Sequence, residues 1–263
     1  MLHKFETHRY KLEYIEENRF ESDHILLFIH GFLGTKETWD KVTRLIGTNH
    51  HYITIDLPGS GNSSNVENFS YTLSELAEIM YEFVEHLNLK SIILVGHGTG
   101  AVVASMLYEH IHAYVIGMVH LCPGFHMQPS STFQRLPRCM TDVVAGKMCE
   151  YTKRYTVLKQ SHHEAHNASY YIEHFSKSAR PDVVSKFLHG KDPPYETFIN
   201  IIDRPVIVIV GRGDTISPAE TVINLTKINR NFEYRQVETT SHYLQHEFPQ
   251  VVANLIKEHI IKC

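Results

Sequence analysis

An acid, a base and a nucleophile position each stand just past a strand-like run. Asp214 closes Gly211-Arg212-Gly213-Asp214, directly after Val206–Val210. His242 stands in Ser241-His242-Tyr243, past Phe232–Val237. A carboxylate that holds one imidazole nitrogen fixes the tautomer and leaves the other nitrogen free as a general base. Gly96-His97-Gly98-Thr99-Gly100 follows Ser91–Val95 and precedes an apolar stretch from Ala101 to Tyr108. Strand, glycine-flanked turn, helix is the setting in which G-x-S-x-G presents a nucleophile, and its outer glycines let the helix pack closely on the strand. The central residue here is Gly98, which has no side chain to attack with. His30-Gly31-Phe32-Leu33-Gly34 follows Ile25–Ile29. A glycine turn past a strand can offer free N–H groups to an oxyanion, and it also serves as an ordinary strand-to-helix connection. Asp56-Leu57-Pro58-Gly59-Ser60-Gly61-Asn62-Ser63 is a tight loop with a structural role.

These motifs need a scaffold that brings strand ends together. Ile25–Ile29, Tyr52–Ile55, Ile92–Val95, Val115–Leu121 and Val206–Val210 are short and wholly apolar, as strands buried on both faces are. Tyr10, Leu12 and Tyr14 alternate with polar residues and read as a sheet edge. Between the strands, Leu73, Leu76, Met80, Phe83 and Leu87 recur at helical spacing, and Thr72 with Glu75 forms a capping box. Ala101–Tyr108 reads as a buried helix, Pro218 opens another, and Val252, Leu255, Ile256 and Ile260 mark an amphipathic helix near the end. Strands alternating with helices predict an α/β fold with a mostly parallel central sheet flanked by helices. From Pro123 to about Ile202 no strand is evident, and Met127, Phe133, Met140, Met148, Tyr151, Tyr155, Tyr170, Tyr171 and Phe175 suggest a helical insertion whose Met and Tyr residues form a small core of its own or else contact substrate. The expected division is 1–122 and 203–263 for the core and 123–202 for the insertion.

Composition narrows the function classes. With 263 residues, 43% of them hydrophobic and 21% charged, the chain can bury a core without disulfides or metals. A formal net charge of −4 speaks against a nucleic-acid surface. No apolar run approaches the ~20 residues of a membrane span, and residues 1–10 lack the apolar stretch of a signal peptide. Cys122, Cys139, Cys149 and Cys263 show no CxxC spacing, so a reduced, cytoplasmic setting is expected. His162 and His166 share a helical face beside His163 and Glu164, but Asn167 breaks any HExxH pattern, and a solvated face is the expectation. His50-His51 reads as a loop before a strand.

From Ile25 to Ile260 the chain resembles the α/β-hydrolase superfamily, on five motifs that occur in its chain order: the HG turn, the DLPG loop, the elbow, then Asp, then His. The resemblance implies an α/β-hydrolase fold with a helical cap over residues 124–200. It implies hydrolysis of an ester or related carbonyl substrate by a Ser-Asp-His-type triad, with Asp214 and His242 as acid and base and Gly98 at the nucleophile position. The N–H groups of Phe32 and Thr99 would form the oxyanion hole, and His30, Gly31, His97 and Cys122 would line the substrate site. No cofactor or metal is implied. The expected partner is a small molecule with an apolar acyl chain or ring, acted on by a monomer or homodimer. HGFLG with DLPGxGxS is also similar to the menaquinone-pathway synthase that eliminates pyruvate, but the Arg shortly after the elbow and the elbow Ser are both missing here. Gly98 leaves three readings open. The chain is a serine hydrolase lacking one side chain; or His242 and Asp214 act as a general base without a nucleophilic side chain, with a water beside Gly98 or in elimination, C–C cleavage, cyclisation or cofactor-free oxygenation; or the scaffold only binds a ligand. Thr99 sits one place late to substitute, which leaves Cys122 as the alternative thiol, against its reading as a small buried residue.

Overall fold

The computed structural model describes residues 1–19, 22–125, 131–161, 180–239 and 241–263. Its strands are β1 (Leu2–Glu6), β2 (Lys11–Glu17), β3 (Ile25–Ile29), β4 (His51–Ile55), β5 (Ile92–His97), β6 (Val115–Leu121), β7 (Val206–Gly211) and β8 (Phe232–Val237). They form one sheet in the order β1-β2-β4-β3-β5-β6-β7-β8. β1 and β2 pair antiparallel and β2 joins β4 antiparallel; every later pairing is parallel. The described helices are α1 (Asp40–Ile46), α2 (Leu73–His86), α3 (Thr99–Ile111), α4 (Ser131–Arg135), α5 (Arg138–Ser161), α6 (Pro181–His189), α7 (Glu196–Ile199), α8 (Ala219–Thr226), α9 (Leu244–Glu247) and α10 (Pro249–Ile260).

The wholly apolar runs became the inner strands because successive side chains point to opposite faces and both faces are covered. Along β3, Leu27 and Ile29 join the layer that holds Met80 and Phe83 of α2 and Val103 and Met106 of α3. Leu26 and Phe28 join the opposite layer, with Val42 of α1 and Val252 and Ile256 of α10. The predicted capping box holds: Thr72 Oγ1 accepts from the Glu75 N–H at 3.2 Å. Sequence gave no hint of a second cap. Asp192, from the insertion, accepts from the N–H groups of Leu73 and Ser74, both at 2.9 Å, where a carboxylate also meets the positive end of the helix.

Among the described residues between β6 and β7 there is no strand, as the sequence suggested. Their small core joins Ala145, Cys149, Val184 and Leu188 to Leu33 of the β3 turn. Phe133 and Met148 pack against it, but Met140 and Tyr151 are exposed, so the insertion's Met and Tyr residues do not share one role. Met127, His162, His163, Glu164, His166, Tyr170, Tyr171, Phe175 and the side chain of Tyr155 lie outside what is described. Two boundaries need correction. His51 is not in a loop: it opens β4, and its Nε2 meets Glu16 Oε1 of β2 at 2.9 Å. α3 starts at Thr99 rather than Ala101, because the chain turns sharply at Gly98 and is helical at once. No described helix is long and apolar enough to cross a membrane.

Candidate active site

Residues past the carboxyl ends of β3, β5, β7 and β8 line one cleft, where open α/β sheets place ligands. Gly98 is the residue between β5 and α3, at φ +55 and ψ −121. A side chain rarely adopts that backbone, and glycine does so freely. Its flanking glycines answer a different need, close approach. A Cβ on Gly96 would lie 2.5 Å from the Ala101 backbone, and one on Gly100 2.4 Å from the carbonyl oxygens of Ile29 and His30. The turn is fixed by the Gly98 N–H, which donates to the Leu121 carbonyl (3.0 Å), and by the Gly98 carbonyl, which accepts from the Gly124 N–H (2.9 Å).

His242 Nδ1 and Asp214 Oδ2 are 2.8 Å apart. Asp214 is buried, and its other oxygen accepts from the N–H groups of Ile216 (2.8 Å) and Ser217 (3.0 Å). Both oxygens being engaged, the carboxylate can rotate little, and the imidazole is oriented with Nε2 outward. That Nε2 lies 3.6 Å from where a Cβ on Gly98 would be. Phe32 and Thr99 line the same cleft with Gly98 and His242. Neither the Phe32 nor the Thr99 N–H donates to a carbonyl among the described residues, so both stay available to a ligand.

The remaining predicted site residues fall into different places. His97 lines the cleft yet is buried, its Nε2–H donating to the His242 carbonyl at 3.0 Å and its ring centroid 4.9 Å from that of His242. Burial first, and His242 next, push its pKa well below the usual histidine value, so it stays neutral. Gly31 passes so close to it that a Cβ there would sit 2.8 Å from the His97 carbonyl oxygen. His30 is held at both nitrogens: Nδ1 meets the Gly31 carbonyl at 2.8 Å and Nε2 accepts from the Leu57 N–H at 3.0 Å. It braces the turn, and it borders a neighbouring cavity rather than the cleft around Gly98.

Cys122 follows β6, buried, at φ +44. Its sulfur, an Asp214 oxygen and a His242 nitrogen all lie within 4.8 Å of one another. Burial, and then the Asp214 carboxylate, push its thiol well above the ordinary value. A protonated thiol is a poor nucleophile and a poor metal ligand, so the geometry favours its reading as a small buried residue.

Ile216 and Tyr243 border the cleft and escaped the sequence, while Met148 of the insertion, singled out there, borders it too. Ile216 and Tyr243 could have been found as near neighbours of Asp214 and His242. An adjoining narrow pocket shares Phe32, Leu33 and Thr99 with the cleft. Leu57, Tyr71 and Leu76 form one wall and Val183, Val184 and Phe187 of α6 the other. The helical spacing of Val184, Phe187 and Leu188 was the available signal for that wall.

Comparison with known proteins agrees with this architecture. The chain is 25% identical over 260 residues to an uncharacterized hydrolase of Bacillus subtilis, covering 94% of this chain and 92% of that protein. Its fold matches a thermophilic esterase from Thermogutta terrifontis, solved with malate bound, at a TM-score of 0.83 and 18% identity, covering 100% and 98% of the two chains. A hydrolase from Pseudomonas aeruginosa matches at a TM-score of 0.81 and 18% identity, with 98% of each chain covered. The family model of the alpha/beta hydrolase fold matches residues 24–249, and the chain belongs to that family.

Proposed function

We propose that this protein acts on an ester or related carbonyl compound through His242 and Asp214, with Gly98 at the nucleophile position. The carrying observation is the His242–Asp214 contact at 2.8 Å, which turns Nε2 toward the open side of Gly98. In this reading water replaces the side-chain nucleophile. His242 Nε2 takes a proton as the water oxygen bonds to the carbonyl carbon. The N–H groups of Phe32 and Thr99 hold the oxyanion, and His242 returns the proton to the leaving oxygen. Asp214 fixes the tautomer and stabilises the imidazolium. Without an acyl-enzyme, turnover is slow, of the order of the ~10³–10⁴-fold over water that triad enzymes keep when a triad member is removed.

The helices between Leu121 and Val206 serve as the cap over the site in this reading. The apolar wall of Leu57, Tyr71, Val184 and Phe187 supports a substrate with an apolar acyl chain or ring. The test is hydrolysis of p-nitrophenyl acyl esters from acetate to octanoate by the unaltered chain, His242→Ala and Asp214→Asn. The unaltered chain should exceed buffer and both variants should fall to it. A folded His242→Ala that kept the full rate would sink the reading.

A further inference from the structure

We infer that the pocket beside the cleft contains a carboxylate subsite built from Ser60, Tyr71 and Arg180, so that the ester it takes is a half-ester, whose acyl chain carries a second, free carboxylate. This rests on the reading above, which puts the reacting carbonyl beside Phe32 and Thr99. The pocket shares both residues with the cleft and continues from them between Leu57 and α6. Its polar lining is His30, whose two nitrogens are engaged, Thr99, and the trio of Ser60, Tyr71 and Arg180. None of the trio borders the cleft, so these three lie in the part of the pocket away from Gly98.

The three are gathered on one loop. A Cβ on Gly59 would lie 2.8 Å from Tyr71 Cε1, and the Gly61 carbonyl accepts from Arg180 Nη2–H at 2.8 Å. Ser60 is the residue between. Each of the three keeps a donor that the fold does not use. The Ser60 hydroxyl meets no partner among the described residues. The Tyr71 oxygen accepts from the Val66 N–H at 3.0 Å, and its own O–H has no acceptor among the described residues. Burial raises the Tyr71 pKa, so the phenol stays a donor. Arg180 gives one N–H to Asn65 Oδ1 at 2.7 Å and one to Gly61, and its guanidinium has others to spare. No carboxylate among the described residues pairs with it; Asp182, two residues on, accepts from Asn65 Nδ2 instead, at 2.9 Å.

One fixed cation and two neutral hydroxyls match a group with a single negative charge and two acceptor oxygens. A carboxylate is that group, and its bonds to a guanidinium are charge-assisted. Lys186 comes within 5.3 Å of the Tyr71 ring centroid but does not line the pocket, so the pocket offers no second cation to a phosphate dianion. An alkyl chain end would strip water from the three donors and return no acceptor.

The test is calorimetric binding to the whole chain of the monomethyl esters of succinate, glutarate and adipate, each against its dimethyl diester, at neutral pH. At least one half-ester should bind about tenfold more tightly than its diester, as one charge-assisted pair provides. Arg180→Gln should remove that preference and leave the diester affinity in place. Ser60→Ala, which breaks no described contact, should reduce the preference about threefold. The comparison on the unaltered chain decides even if Arg180→Gln misfolds. Half-esters that bind no more tightly than their diesters, or no measurable binding of either, overturn the subsite, as does a folded Arg180→Gln that weakens both alike. Calorimetry needs no turnover, so the hydrolytic reading is judged apart. A half-ester preference without hydrolysis of the half-ester or of the p-nitrophenyl esters sinks that reading and leaves the subsite standing.

Discussion

Placing a hydroxyl at position 98 is the most direct challenge to this site. In Gly98→Ser the new Cβ lies 3.6 Å from His242 Nε2. One C–O bond further, with a normal bond angle, the oxygen reaches about 2.9 Å from Nε2, within hydrogen-bond range of a general base. Loss of a triad serine costs about 10⁶ in kcat. Allowing two decades for a base and oxyanion donors not tuned to that oxygen, and more for imperfect pocket fit, the variant should gain at least about 10³-fold, or about 4 kcal/mol of barrier. The backbone sets the opposing cost. At φ +55 and ψ −121 a non-glycine residue stores about 1–3 kcal/mol, which lowers Tm by roughly 2–10 °C for a chain of this size. The assay is p-nitrophenol release across the acyl series, with intact-protein mass measured during the burst. The expected result is faster release and a mass increase equal to one acyl group. A variant that melts within that range, yet neither gains rate nor acylates, would refute the placement of Gly98, His242 and the oxyanion donors.

Two further outcomes concern the scaffold. Lys36 is 2% exposed, and its Nζ lies 2.9 Å from Glu13, 2.9 Å from Glu37 and 2.8 Å from Asp56. Burial alone would lower its pKa, but Asp56 and Glu37 more than reverse this and raise it, so it is a fixed cation. Lys36→Met should cost about 3–5 kcal/mol by urea unfolding at neutral pH, because buried carboxylates lose their counter-charge, and part of that should return on acidification; a loss under about 1 kcal/mol would contradict the arrangement. Burial depresses His120 to about 3, His246 to about 3 and His259 to about 4. Their folded pKa values lie below the unfolded value of about 6.5, so the unfolded chain binds more protons below that pH. Stability should be complete above about pH 6.5 and fall steadily toward pH 4, and a Tm that stayed flat from pH 7 to pH 5 would show these side chains are hydrated.

The sequence carried most of what lies along the strands. Each catalytic candidate follows a strand by one to five residues, so its place at the sheet's carboxyl edge could be read locally. What stayed hidden depends on contacts far apart in the chain. Nothing in the neighbourhood of Lys36 distinguishes it from a surface lysine; its burial comes from Glu13 on β2 and Asp56 past β4. His30 looked like a ligand-facing residue because of its motif, but its Nε2 is taken by the backbone of Leu57. Asp192 caps the start of α2 from 119 residues beyond Leu73, a contact that only the fold creates.

The backbone around the cleft bears on whether the site still does chemistry. Leu33, in the turn after β3, has φ +58, and Cys122, beside Asp214 and His242, has φ +44. Neither is glycine, so each holds a conformation that costs of order 1–3 kcal/mol. Leu33 also packs into the core of the insertion, and the Cys122 N–H donates to the Ile209 carbonyl at 2.7 Å, so the surroundings enforce both conformations. A scaffold that only bound an apolar ligand would need neither the strained turn beside Phe32 nor a buried aspartate aimed at His242. Gly98 removes strain at one of three left-handed positions and leaves the other two in place. In the proposed reading the missing side chain at position 98 is a local change, with His242, Asp214 and the Phe32 and Thr99 N–H groups placed around it. That is why His242→Ala should matter in a chain that already lacks a nucleophile.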